Sequence, residues 1–245
     1  MTAHYRPEAS APAANAVSEA DRNALERYRE VLLEGQQRLR DCSDYTATFY
    51  KREKVDGELR DPEELELKVR HEPFSIFLKW PSRRQAVYIE GENDNRLVVQ
   101  EGGLLGKLGA LKLEPSSRMA MKESRYPVTE LGLLNLTELL LQYRERDLTL
   151  DSGVTCRVSE EEFEGRPCLR FEVEYASPAI DPVYRHSVAL IDLERSVPLS
   201  VVNHGWPEGS EVSDDESTLL EHYAYRDLEL EPGLEDADFV VASSR

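Results

Sequence analysis

Residues 64–80, ELELKVRHEPFSIFLKW, and 85–100, QAVYIEGENDNRLVVQ, decide how this chain is read. Leu65, Leu67 and Val69 alternate with Glu64, Glu66, Lys68 and Arg70, the period of a strand with one wet face. Phe74, Ile76, Leu78 and Trp80 repeat the pattern after Pro73, and Val87 with Ile89, then Leu97 with Val99, extend it. Val55-Asp56-Gly57-Glu58 and Gly91-Glu92-Asn93-Asp94-Asn95 carry turn chemistry where such strands should reverse. The reading is an antiparallel meander with one apolar face, for which Phe49, Leu67, Val69, Phe74, Ile76, Leu78, Trp80 and Val87 are the expected lining.

Upstream, Asp44 to Glu53 forms the strand that supplies Phe49, with Tyr45 and Ala47 on the same face. Lys51, Arg52, Lys68 and Arg70 make a basic patch in an acidic protein. Cross-strand pairing with Glu53, Glu64 and Glu66 accounts for it, and Arg52, Lys68 and Arg70 are the candidates for an anion contact at a rim. Ser18 to Cys42 reads as a helix, opened by Ser18 with Asp21 and striped by Leu25, Tyr28, Leu32 and Leu39. Residues 1–17, rich in Ala, Pro and Ser, are expected to be a disordered tether, and residues 18–245 one domain.

Downstream, glycines at 102, 103, 106 and 109 break the rhythm. Lys107 is followed by Leu rather than Ser or Thr, so a phosphate loop is excluded. The segment is expected to be a flap carrying Leu104, Leu105 and Leu108, or part of the core. Asn135 with Glu138 is expected to cap a second helix ending near Arg146. Strands then return over Val154–Phe163, Cys168–Tyr175, Tyr184–Leu193, Leu199–Trp206 and Leu219–Leu230. Two helices among strands, without βαβ alternation, define an α+β antiparallel class.

The net charge of −18 over 245 residues repels phosphate backbones and anionic surfaces, so nucleic-acid binding is disfavoured. Three cysteines without C-x-x-C indicate neither a disulfide framework nor zinc, and Cys156 should stand opposite a residue near Val173. No apolar run is long enough to span a membrane, and residues 1–16 do not read as a signal peptide. No cofactor is expected. His186, His204 and His222 fall on three successive strands; in register they would line up across the sheet, a candidate for metal binding.

The stretches YTATFYKRE (45–53), ELKVRHEPFSIFLKW (66–80), VYIEG (87–91) and RMAMKESRYPVTELGLLNL (118–136) resemble the bacterial domain-of-unknown-function family 1571. The wider order is similar to the LolA/LolB lipoprotein-carrier architecture: an N-terminal helix, a strand-rich middle, a Tyr223-x-Tyr225 strand and an Asp236-x-Asp238-Phe239 ending. That resemblance implies a curved half-barrel sheet with helices on its concave face, able to accept a lipid or lipoprotein acyl chain. It also implies a periplasmic or envelope setting; with no export signal in the sequence, the cytoplasm is the alternative. The competing functions are a protein-interaction module with a filled core and a metal-dependent enzyme using the histidines.

Overall fold

The computed structural model describes residues 15–103, 109–207 and 216–241. Its framework is set by tight reversals. Asp56–Gly57 (φ 52° and 82°) and Glu164–Gly165 (φ 51° and 76°) are two-residue turns with both centres in the left-handed region, the geometry that matches strand twist. The strands are β1 (Asp44–Val55), β2 (Glu58–Leu59), β3 (Glu63–Arg70), β4 (Ser75–Lys79), β5 (Gln85–Ile89), β6 (Leu97–Gln100) and β7 (Leu111–Leu113), then β8 (Val154–Phe163), β9 (Arg166–Tyr175), β10 (His186–Asp192), β11 (Pro198–His204) and β12 (Leu219–Leu230). They form one 12-stranded antiparallel sheet in the order β7-β6-β5-β4-β3-β1-β12-β11-β10-β9-β8, with β2 pairing β1 off this path. β1 joins the wings, and the outermost strands β7 and β8 do not pair, so the half-barrel stays open.

Two helices cover the concave face. α1 (Glu19–Asp41) is capped as expected, Ser18 Oγ accepting from the Asp21 amide at 3.1 Å. Its stripe of Leu25, Tyr28 and Leu32 packs with Phe171, Val173 and Ile191 of the β8–β11 wing, Tyr28 stacking on Phe171 at 4.2 Å. Gly35 lets it approach the β10–β11 turn, since a Cβ there would stand 1.9 Å from the Ser196 carbonyl oxygen. α2 (Leu133–Asp147) begins two residues before the expected cap. Gly132, at φ 120°, is the N-cap, and Tyr45 Oη accepts from the Leu133 amide at 2.8 Å. Asn135 lies inside the first turn and donates to the carbonyls of Thr129 and Leu131 instead.

Two further expectations are corrected. Residues 15–17 are not a loose tether: Ala16 bridges Ser152, and the Val17 amide donates to the Asp151 carbonyl at 3.0 Å. Val87 does not face the concave side. Its register partner is Phe77, and both pack with Ile89 and Phe239 on the convex face.

All three cysteines are free and buried, and Cys156 stands opposite Val173 as the hairpin count requires. Burial pushes the Cys156 thiol up to about 12 and Cys168 up to about 11. At pH 8 a thiol near 12 is roughly one part in ten thousand thiolate. Iodoacetamide at pH 8 is therefore expected to leave the native chain unlabelled and to label three sites after guanidinium unfolding. One fast label on native protein, seen by intact mass, would place a thiol at the surface.

Candidate functional site

Between the concave sheet and the segment 115–143 lies a cavity of about 390 Å³. Strand alternation turns Phe49, Leu65, Leu78 and Ala86 into it, and Leu97 and Val99 close that wall. Val128, Leu131, Leu136 and Leu139, from α2 and the chain entering it, form the opposite wall. Trp80 is half-buried where this apolar wall meets the polar end, its indole Nε1 donating to Glu63 Oε1 at 2.8 Å and its ring under the Arg84 guanidinium at 4.7 Å.

The other end is polar. The phase that turns Tyr45, Ala47 and Phe49 inward continues through Lys51 and Glu53, so β1 carries charge into the interior. Lys51 Nζ stands 3.2 Å from Glu53, 3.1 Å from Glu63, and donates to the Glu123 carbonyl and Ser124 Oγ. Tyr223 Oη hydrogen-bonds Glu53. Glu221, 1% exposed, gathers Arg125 Nε at 2.8 Å, Tyr184 Oη at 2.9 Å and Asn203 Nδ2 at 2.7 Å. Tyr126 Oη reaches both Tyr184 and Glu221 at 3.2 Å. Burial, reinforced by Glu221, pushes the Tyr126 phenol up to about 12 and those of Tyr184 and Tyr223 higher still, so all three stay protonated at neutral pH. Burial opposes the Arg125 charge, but the Glu221 carboxylate outweighs it and holds the guanidinium above its ordinary value.

Of the expected lining, Phe49, Leu78 and Trp80 border this cavity. Val69 and Phe74 border an adjoining one of about 240 Å³ with Tyr45 and Tyr88. Leu67 and Ile76 are fully buried in the core between the sheet and the helices. The expected rim cations are on the convex face. Lys68 pairs with Asp238 and Arg70 with Asp236, both at 2.7 Å, while Arg52 pairs with Glu216 at 2.7 Å. The expected flap leucines Leu104, Leu105 and Leu108 lie outside the described residues.

His186 and His204 are register partners with rings 6.1 Å apart, but His222 stands opposite Val202 and packs edge-on to Tyr50. The three-histidine row is therefore not assembled. His186 is instead grouped with Glu172 and Glu174, ligand atoms within 4.8 Å of one another. Arg170 also holds Glu172 at 2.6 Å, and this hydrogen bond keeps that carboxyl below its ordinary value.

The sequence reading missed Leu65, Ala86, Leu97 and Val99 as lining and the whole polar end. Leu65, Leu97 and Val99 were visible as alternating positions. Lys51 and Glu53 were visible only as charges in an inward phase.

The family described as "Protein of unknown function (DUF1571)" matches residues 42–245. None of the curated proteins matches. Among solved structures, the lipoprotein LppX of Mycobacterium tuberculosis is 10% identical, with 86% of this chain and 98% of that chain covered and a TM-score of 0.46. The MucA/MucB complex of Pseudomonas aeruginosa is 13% identical over 88% of this chain and 61% of that chain, TM-score 0.46. A LolA superfamily protein of Nitrosomonas europaea is 9% identical over 87% and 97%, TM-score 0.24.

Proposed function

This chain belongs to the DUF1571 family, and we propose that it is a non-enzymatic binding protein holding an apolar chain, such as a lipid or lipoprotein acyl chain, in its half-barrel cavity. One observation carries this reading: the space between sheet and α2 is not filled by the protein's own side chains. Its volume of about 390 Å³ falls within the 300–1,000 Å³ of small-molecule sites. Phe49, Leu78 and Leu97 give one end the apolar surface from which chain burial draws its free energy. In this reading residues 18–245 work as one unit at the cell envelope, the setting that goes with the LolA-like architecture. No helix among the described residues is long and apolar enough to cross a membrane.

Filling the cavity tests this. Ala86→Trp from the sheet and Leu139→Trp from α2 each place an indole in the space. Overpacking is expected to cost stability by about 1–3 kcal/mol while leaving the fold intact by circular dichroism. Both variants are expected to lose uptake of the neutral fluorophore N-phenyl-1-naphthylamine. Uptake unchanged in both would mean that the probe sits elsewhere. No uptake by the unmodified protein would favour the protein-interaction module.

A further inference from the structure

Resting on that reading, the polar end of the cavity identifies what the apolar chain is attached to. We infer that the ligand is an amphiphile with an uncharged, hydroxyl- or carbonyl-bearing head, and that anionic heads such as carboxylate or phosphate are rejected.

The inference follows from how the charges are used. Glu53, Glu63, Glu123 and Glu221 stand at this end against Lys51, Arg84 and Arg125. Each cation already holds a carboxylate: Lys51 holds Glu53 and Glu63, Arg84 holds Glu123 at 2.9 Å, and Arg125 holds Glu221. Arg144, the remaining cation on the cavity wall, is paired with Asp147 at 2.6 Å and lies over the Tyr28 ring at 4.9 Å. Among the described residues lining the cavity, none is a cation left over for an anionic head.

An incoming carboxylate or phosphate would lose its water and meet an excess carboxylate. Burying an unpaired charge is among the costliest events in a protein interior. A cationic head meets the lesser obstacle, because the balance of four carboxylates to three cations leans its way. It would nonetheless have to break an existing pair to gain a partner.

A neutral head needs neither. Tyr126, Tyr184 and Tyr223 donate their hydroxyl hydrogens to Glu221 and Glu53 and keep oxygen lone pairs as acceptors, while Ser124 Oγ, accepting from Lys51, keeps its hydrogen to donate to a hydroxyl, ester or amide group. Hydrogen bonds of this kind orient a ligand within a pocket whose affinity comes from its apolar part.

The test is competition against N-phenyl-1-naphthylamine by four twelve-carbon amphiphiles at pH 8, below their critical micelle concentrations: 1-monolauroylglycerol, dodecanoate, dodecyl phosphate and dodecylamine. The glyceryl ester is expected to displace the probe at a concentration about tenfold or more below dodecanoate and dodecyl phosphate, with dodecylamine between. Glu63→Gln, which removes the surplus carboxylate and keeps an acceptor for Trp80, is expected to narrow the gap between the ester and dodecanoate several-fold. Dodecanoate, dodecyl phosphate or dodecylamine displacing as well as the ester would overturn the inference and leave the cavity reading standing. Displacement by none of the four would overturn the cavity reading, and the head assignment with it.

Discussion

Asp147→Ala is expected to destabilise the protein by about 3–5 kcal/mol, the cost of leaving a buried charge without its partner. At this chain length, that is a fall in Tm of roughly 6–20 °C. Arg144 is 2% exposed and Asp147 wholly buried. The Arg144 Nη2 donates to Asp147 Oδ2 at 2.6 Å and to Tyr175 Oη at 3.0 Å, while its Nε and Nη1 have no hydrogen-bond partner among the described residues. Guanidinium cannot shed its proton, so with Asp147 gone the charge stays, supported only by a phenol and the Tyr28 ring. The reverse removal is milder. Asp147 retains Arg146 at 2.7 Å and the Tyr175 hydroxyl at 2.9 Å after Arg144→Met, which also keeps most of the volume. That variant should cost at least about 1 kcal/mol less than Asp147→Ala. The apolar pair Arg144→Met with Asp147→Leu should recover much of the loss. Urea denaturation of the three variants gives the order, and equal losses for both single variants would mean that Arg146 does not share Asp147.

The parts of the fold legible in the sequence were those governed by local rules. In β3, strict alternation from Leu65 to Val69 sets the face of each residue, and the structure places each there. The Glu164–Gly165 turn fixes the β8–β9 register because two residues leave no slack, so Cys156 meets Val173. Where the local rule is silent, the reading failed. Residues 86–89 are apolar throughout because β5 is covered on both faces, and an unbroken run carries no phase. Only the pairing of Val87 with Phe77 puts it on the convex side.

Long-range partners were invisible for the same reason. Lys68 and Arg70 were read correctly as outward, but outward is not rim. Their partners Asp238 and Asp236 arrive from the far end of the chain, in the turn that seats Phe239 on the convex face. The histidine row assumed in-register pairing of β11 with β12, yet the connection between these strands is too long to fix a register. The register shifts by two residues, leaving His222 beside Val202. The polar end of the cavity required β1, the segment before α2 and β10–β12 to converge, and no single stretch announces that meeting.

Affinity for the apolar chain is expected to rise steeply with its length. Each buried methylene contributes about 0.8 kcal/mol, so monoacylglycerols of eight and twelve carbons should differ by about 3 kcal/mol, or roughly 200-fold in Kd. The rise should stop once the space of about 390 Å³ is occupied, because further methylenes remain in water. Salt should matter little. The −18 net charge is spread over the molecule, and an uncharged ligand has nothing for ions to screen, so tenfold more NaCl should change Kd by less than about twofold. Isothermal titration of an eight-, ten- and twelve-carbon series, each below its critical micelle concentration, measures both trends. A negative heat-capacity change should accompany binding, the mark of apolar surface leaving water. Equal affinity across the series would place the contact on the outer surface, because only an enclosed wall can take up methylenes one after another. The half-barrel would then be better read as a surface that other proteins dock on.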